Sequence, residues 1–158
     1  MNSYMENKWS WIDGSHGMRN GLVGSLTDAD LAFSPGGQTM SLGALCREIG
    51  DIEYAYLQSF KTFTQDFSYR NTDAGIESSV AKLVAWYQQM DEDLKATISA
   101  FSEDDLKKPI ERSAGFKAPV DLQLEIYLQA LLIFFGKITI YLKIMNKAVD
   151  KTIQEYIG

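Results

Sequence analysis

The side chains most able to do chemistry are scarce in this chain: one histidine, His16, and one cysteine, Cys46, among 158 residues. A lone imidazole cannot build the common metal centre in which several His nitrogens share one ion. It also leaves His16 as the only base for Ser-His-Asp or Cys-His catalysis, and no serine stands in a strained nucleophile turn. Arg47 follows Cys46 directly, but consecutive helical residues do not face each other, so the thiol gains no obvious activating cation. The sequence assigns no catalytic residue.

What remains is a polar group on the first helical segment. At the helical repeat, Trp9, Ile12, Leu22, Val23 and Leu26 form one apolar arc, and His16 and Arg19 fall inside it. A guanidinium withdrawn from water needs a partner. Glu48 is the expected one, giving a His16/Arg19/Glu48 polar pocket suited to a small acidic ligand, or else a plain core ion pair. Asp51 and Glu53 are assigned to a solvated face. On the opposite side of the first helix, Gly14, Gly17, Gly21 and Gly24 recur at steps of three and four, with Ser10 extending the row. Helical glycines cost about 0.8–1 kcal/mol each relative to Ala. Close packing of another element or subunit is therefore expected there, unless the helix is simply irregular.

Four long segments carry helical periodicity, at about 3–26, 41–66, 76–100 and 120–147. Ser3 with Glu6 suggests a capping box for the first. The second places Leu42, Leu45, Ile49, Ile52, Tyr56 and Phe63 on one stripe, and the third repeats this with Ile76, Val80, Leu83, Tyr87, Met90 and Leu94. The fourth is apolar on nearly every face between Ile126 and Gly136. Ser34-Pro35-Gly36-Gly37, the stretch from Tyr69 to Gly75, and Pro109 to Pro119 break the chain, the last with room for a short hairpin. Thr27 with Asp30 and Ser102 with Asp105 are matching signals for short extra turns.

Composition sets the outer limits. A chain of 158 residues, 46% hydrophobic and 23% charged, is expected to form one domain over 1–158. Fifteen Lys+Arg against 21 Asp+Glu give a net charge of -6, which repels phosphate backbones and excludes nucleic acid as a partner. One cysteine makes no internal disulfide, and the N-terminus has neither a basic nor an apolar leader, so a cytoplasmic location is expected. The longest uncharged stretch, between Glu125 and Lys137, falls short of the ~20 residues that span a bilayer, so no membrane association is expected.

Leu26-Thr27-Asp28-Ala29-Asp30-Leu31, a Pro-Gly break, and then Ser41 to Glu53 resemble the first half of a DinB-like (DinB/YfiT-type) bundle. Gly136-Lys137-Ile138-Thr139-Ile140-Tyr141-Leu142-Lys143 is similar to that family's closing motif. The resemblance implies an all-α, antiparallel up-down four-helix bundle. It also implies a metal held by one His on the second helix and a His-x-x-x-His pair on the fourth. By position these ligands fall on Glu48, Ala130 and Phe134, a degenerate set, so neither metal nor other cofactor is expected. No Glu-x-x-His motif offers a carboxylate substitute.

The function expected is a metal-free bundle serving as a small-ligand-binding or protein-interaction module, outside the family's metal-dependent enzymology. The alternatives are a thiol-dependent transferase using the His16/Arg19/Glu48 pocket and a carboxylate-ligated metalloenzyme. A homodimer is expected, because one bundle has difficulty covering both the apolar fourth helix and the glycine face.

Overall fold

Asn2 starts the first helix by accepting a hydrogen bond from the Met5 amide, and its own amide group donates to the carbonyls of Ile98 and Phe101. The computed structural model describes residues 2–113 and 115–157. Helix α1 spans Ser3–Asn7 and α2 spans Trp9–Gly24, separated at Lys8 (φ -129°, ψ -21°). The single first helix expected from the sequence is thus divided. Ser3 is not its cap: its hydroxyl donates to Glu103 at 2.8 Å, anchoring the N-terminus to the region beyond the third long helix.

Helix α3 (Leu42–Thr62) is capped by Ser41, whose side chain accepts from the Ala44 amide, and ends at Phe63 in the left-handed region (φ 57°). Helix α4 spans Val80–Ser99, and Ser79 accepts from the Lys82 amide at its start. The two matching turn signals each form a reciprocal pair: Thr27 with Asp30, and Ser102 with Asp105. The break after α4 does hold a hairpin, β1 (Pro109–Glu111) antiparallel to β2 (Lys117–Pro119), with Ile110 opposite Ala118. Helix α5 covers Val120–Ile144, and α6 (Lys151–Ile157) is a short C-terminal helix that the periodicity did not reveal.

Helices α2, α3, α4 and α5 make a four-helix bundle in which α2 and α3 each pack against both α4 and α5. Contacts fix the directions. Asp13 meets Lys95 and Asn20 meets Asp91, so α2 and α4 run antiparallel. Glu48 meets Lys137 and Ser59 meets Gln123, so α3 and α5 are antiparallel too. Gly43 approaches Glu77 while Lys61 approaches Asp93, so α3 and α4 run parallel. The chain achieves this with a crossover that retraces α3: Phe67 packs on Tyr56, Tyr69 stacks on Tyr54, and the Asn71 amide donates to Asp51. The diagonal arrangement of α2 and α3 aims one face of every long helix at a common centre.

That centre is filled by Ile12, Leu45, Tyr87, Leu94, Leu124, Tyr127, Leu131 and Phe135, all nearly excluded from solvent. Helix α5 is long and apolar enough by composition to cross a membrane, but here it is a core helix, burying Leu124, Tyr127, Leu131, Phe134 and Ile138. Its outer side leaves Ile133, Ile140 and Ile144 exposed.

The close helix approaches lie elsewhere than expected. An added Cβ at Gly43 would sit 1.9 Å from the Glu77 carbonyl oxygen, so backbone contacts backbone there. At Gly14, Gly17, Gly21 and Gly24 an added Cβ would meet nothing within 4 Å. Gly14, Gly17 and Gly21 floor an open groove of about 610 Å³, walled on one side by Val149, Asp150 and Ile153.

Candidate functional site

Each long helix contributes a polar side chain to the middle of the bundle. Arg19 on α2 is completely buried; its Nη1 donates to Glu53 Oε1 on α3 at 2.5 Å and its Nη2 to Asp91 Oδ2 on α4 at 2.6 Å. The guanidinium also lies over the Tyr87 ring, 4.5 Å from its centroid. Burial works against the Arg19 charge, but Glu53 and Asp91 more than offset it, and the group stays protonated. His16, one turn earlier, places Nδ1 3.1 Å from Asp91 Oδ1 and Nε2 2.6 Å from the Tyr127 hydroxyl of α5. The Tyr127 hydroxyl in turn lies 3.3 Å from Glu53 Oε1.

Hydrogen-bond counting constrains this cluster. Asp91 accepts from Arg19 through both oxygens and its Oδ1 also faces His16 Nδ1, a contact that places the hydrogen on Nδ1. If His16 is neutral, Nε2 accepts from Tyr127, and the contact between Tyr127 and Glu53 needs a hydrogen from Glu53. If Glu53 is ionised, Tyr127 donates to it, and Nε2 must carry a hydrogen, making His16 cationic. Either way the His16–Tyr127–Glu53 chain holds one hydrogen in addition to the tyrosine's own. Burial pushes Glu53 up to about 7 and, with help from Arg19, holds His16 well below its ordinary range. Both shifts favour the neutral imidazole with a protonated Glu53.

Glu48 does not belong to this group. Its carboxylate takes a salt bridge from Lys137 Nζ at 3.1 Å on the outside of the α3–α5 seam. The expected His16/Arg19/Glu48 pocket is therefore corrected: Arg19 points inward as expected, but its partners are Glu53 and Asp91. The assignment of Asp51 and Glu53 to a solvated face is also corrected, since they are 3% and 2% exposed. Asp51 is held by Arg47 and by the Asn71 amide. The signal for Glu53 was present in the spacing. It falls on the Ile49–Tyr56–Phe60 stripe of α3, as Asp91 falls on the Tyr87–Leu94–Ile98 stripe of α4.

Cys46 is buried in the core; burial pushes its thiol up to about 12, and its carbonyl accepts from the Tyr87 hydroxyl at 2.5 Å. A thiol in that setting is not a thiolate nucleophile.

The seam between α3 and α5 contains the other feature. Leu45, Glu48, Ile49, Ile52, Ala130, Ile133, Phe134 and Lys137 enclose a mainly apolar pocket of about 100 Å³. Glu48, Ile52 and Ala130 also line a larger, more polar cleft of about 610 Å³, completed by Arg47, Asp51, Tyr56, Phe67 and Arg70. The two are adjoining parts of one trough.

Comparison with known proteins decides the family. The sequence model of the DinB superfamily matches residues 15–130. The chain belongs to the DinB superfamily. Its fold is similar to that of a DinB-like protein, YjoA, from Bacillus subtilis, with a TM-score of 0.67 at 14% identity over 85% of this chain and 88% of that one. No curated protein sequence matches it.

Within this DinB-superfamily member, Glu48, Ala130 and Phe134, the positions onto which the sequence resemblance carries the family's metal ligands, all line the small pocket. The donor set there does not fit a metal ion. Ala130 and Phe134 have no lone pair to give, and Glu48 is engaged by Lys137. Among the described residues no group of three or more His, Cys, Asp or Glu is placed to share a metal. The interior network offers His16, Glu53 and Asp91, but Arg19 occupies the space between the carboxylates.

Proposed function

We propose that this protein is a DinB-type bundle that binds a small organic molecule in the α3–α5 trough without a protein-held metal, the family's metal position being degenerate. One observation supports the reading: Glu48, Ala130 and Phe134 are apolar or salt-bridged yet line a pocket, which shares Glu48, Ile52 and Ala130 with a cleft of about 610 Å³. Small-molecule sites usually occupy about 300–1,000 Å³ with mostly apolar walls and a few placed polar groups. The thiol-dependent transferase is less well supported, because Cys46 is buried with a raised pKa and His16 lines neither part of the trough. The carboxylate-ligated metalloenzyme lacks a donor set. The test is NMR on the labelled full chain with a fragment library. Shifts should cluster at Leu45, Ile49, Ile52, Ala130 and Ile133, and a set confined to other surfaces would sink the reading.

A second reading, homodimerisation, rests on the exposed Ile133, Ile140 and Ile144 of α5. Ile133 also lines the pocket, so a partner seated there would border the trough. Sedimentation at micromolar concentration checks it, and a mass near 17.8 kDa would count against it. A cytoplasmic site of action is proposed with both readings, from the absence of an internal cysteine pair.

A further inference from the structure

We propose that the ligand of the α3–α5 trough is a short amphipathic monoanion: a carboxylate whose head meets Arg70 and the Tyr56 hydroxyl and whose branched aliphatic tail enters the pocket beside Ala130 and Phe134. The inference rests on the trough being a ligand site and adds the class of molecule it takes.

Charge matching is the first observation. Arg47 donates to both Asp51 and Glu77, and Lys137 is paired with Glu48. Arg70 differs from them. Its Nη1 donates to the carbonyl oxygens of Phe67 (2.9 Å) and Tyr69 (2.6 Å), and among the described residues no carboxylate lies within salt-bridge distance of it. The two carbonyls hold the side chain at the cleft, and among the described residues Nε and Nη2 have no hydrogen-bond partner. A guanidinium in that state presents a planar fork suited to a carboxylate. Because it is held in place beforehand, less side-chain entropy is lost on binding.

Tyr56 supplies the second observation. It is 4% exposed, lines the same cleft, and makes no hydrogen bond through its hydroxyl among the described residues. With no partner in the protein, the hydroxyl keeps contact with solvent at the cleft, where it can donate to a ligand oxygen. Asp51 and Glu48 also border the cleft, held by Arg47 and Lys137. Asp51 shares Arg47 with Glu77 and also feels the Arg70 charge, so a second negative charge on a ligand would meet more repulsion than a single one.

The apolar end sets the tail. Leu45, Ile49, Ile52, Ile133 and Phe134 leave about 100 Å³. An apolar cavity of about 150 Å³ takes a benzene ring, so a branched tail of about four to six carbons is the size indicated.

Three probes with the same six-carbon skeleton test this: 4-methylpentanoate, 4-methylpentan-1-ol and 4-methylpentan-1-amine, titrated into the full ¹⁵N-labelled chain. The carboxylate should shift the amides of Ile52, Tyr56, Arg70 and Ala130. Arg70→Gln should weaken it by about tenfold or more, the usual scale of a lost charge-assisted bond, and Tyr56→Phe by less. The alcohol should bind more weakly, and the amine should not bind. Ala130→Trp, or Ala130→Leu if the larger residue disturbs the far-UV CD spectrum, should remove binding of the carboxylate and the alcohol. Equal affinity for alcohol and carboxylate, with no effect of Arg70→Gln, would overturn the anion class while leaving the trough a ligand site. Shifts that ignore Ala130→Trp and Ala130→Leu, or no shift at the trough with any probe, would overturn the site and its ligand class together.

Discussion

Arg19 on α2 and Glu53 on α3 meet Nη1 to Oε1 at 2.5 Å, with side-chain exposures of 0% and 2%, at the centre of a bundle otherwise filled mainly by hydrocarbon and aromatic rings. The pair is asymmetric, because Arg19 has a second carboxylate in Asp91 while Glu53 has no second cation. Removing the two members should therefore have unequal consequences. Arg19→Met strands Glu53 and should cost about 3–5 kcal/mol near pH 8, the scale for breaking a buried pair. Glu53→Leu leaves Arg19 paired with Asp91 and should cost less. The double variant should be clearly more stable than the sum of the singles implies. Urea denaturation followed by CD reads all three, and additive losses would show that the pair is not coupled.

The same cluster makes a statement about pH. Glu53 moves from 4.5 to about 7 in the folded state because burial disfavours its charge; Arg19 opposes the shift and Asp91 adds to it. The folded protein then holds this proton longer than the unfolded chain, so the Glu53 contribution to stability is greatest below about 4.5 and is lost as pH rises towards 7. The loss is about 3 kcal/mol in total. His16 has the opposite sign. Its folded pKa lies below 6.5, mainly through burial and then through Arg19, so its contribution improves as pH rises to 6.5. In the wild type the two trends oppose each other below 6.5. Glu53→Gln should expose the His16 trend, with stability rising with pH, and His16→Asn should expose the Glu53 trend, with stability falling. Denaturant midpoints between pH 4.5 and 7.5 provide the check. Parallel pH profiles in both variants would refute the one-proton chain through Tyr127.

Much of the framework was legible in the sequence because its rules are local. The stripes through Leu42, Leu45, Ile49 and Tyr56 and through Leu83, Tyr87, Met90 and Leu94 place those residues in the core, as the periodicity requires. The reciprocal turns at Thr27 and Ser102 followed from side-chain reach alone. The break at Lys8 and the parallel course of α3 and α4 were not legible. The first depends on Asn2 docking against the end of α4 and the second on a crossover lying along α3. Arg19 was recognised as an inward cation, but its partner depends on which helices are diagonal neighbours. Residue type then misled: Glu53 sits on an apolar stripe, and its charge outweighed its position in the reading.

The proposed correspondence of Glu48, Ala130 and Phe134 to the family's ligands has a constructive test. Ala130→His with Phe134→His would place two imidazoles four residues apart on α5, facing Glu48 across the pocket. That geometry suits a shared zinc ion. The double variant should bind about one zinc per chain by calorimetry, and adding Glu48→Ala should weaken it. The wild type, purified without chelator, should carry no stoichiometric transition metal by elemental analysis. Zinc binding by the wild type at this pocket would contradict the fit argued from Ala130 and Phe134.

The glycines divide into two kinds that a substitution series separates. At Gly17 a methyl group would meet no heavy atom within 4 Å, and no left-handed backbone angle is required there. Gly17→Ala should therefore stabilise α2 by up to about 0.8–1 kcal/mol through helix propensity alone. At Gly43 the added carbon would fall 1.9 Å from the Glu77 carbonyl oxygen, a backbone atom that cannot move aside as a flexible side chain would. Gly43→Ala must part α3 from the turn that precedes α4, and should destabilise by about 1–3 kcal/mol, the range for overpacking. Thermal melts of the two variants should move in opposite directions from the wild type. If Gly17→Ala destabilises instead, the groove over the glycine face is filled in solution, and a second copy of the chain or a closer α6 would have to fill it.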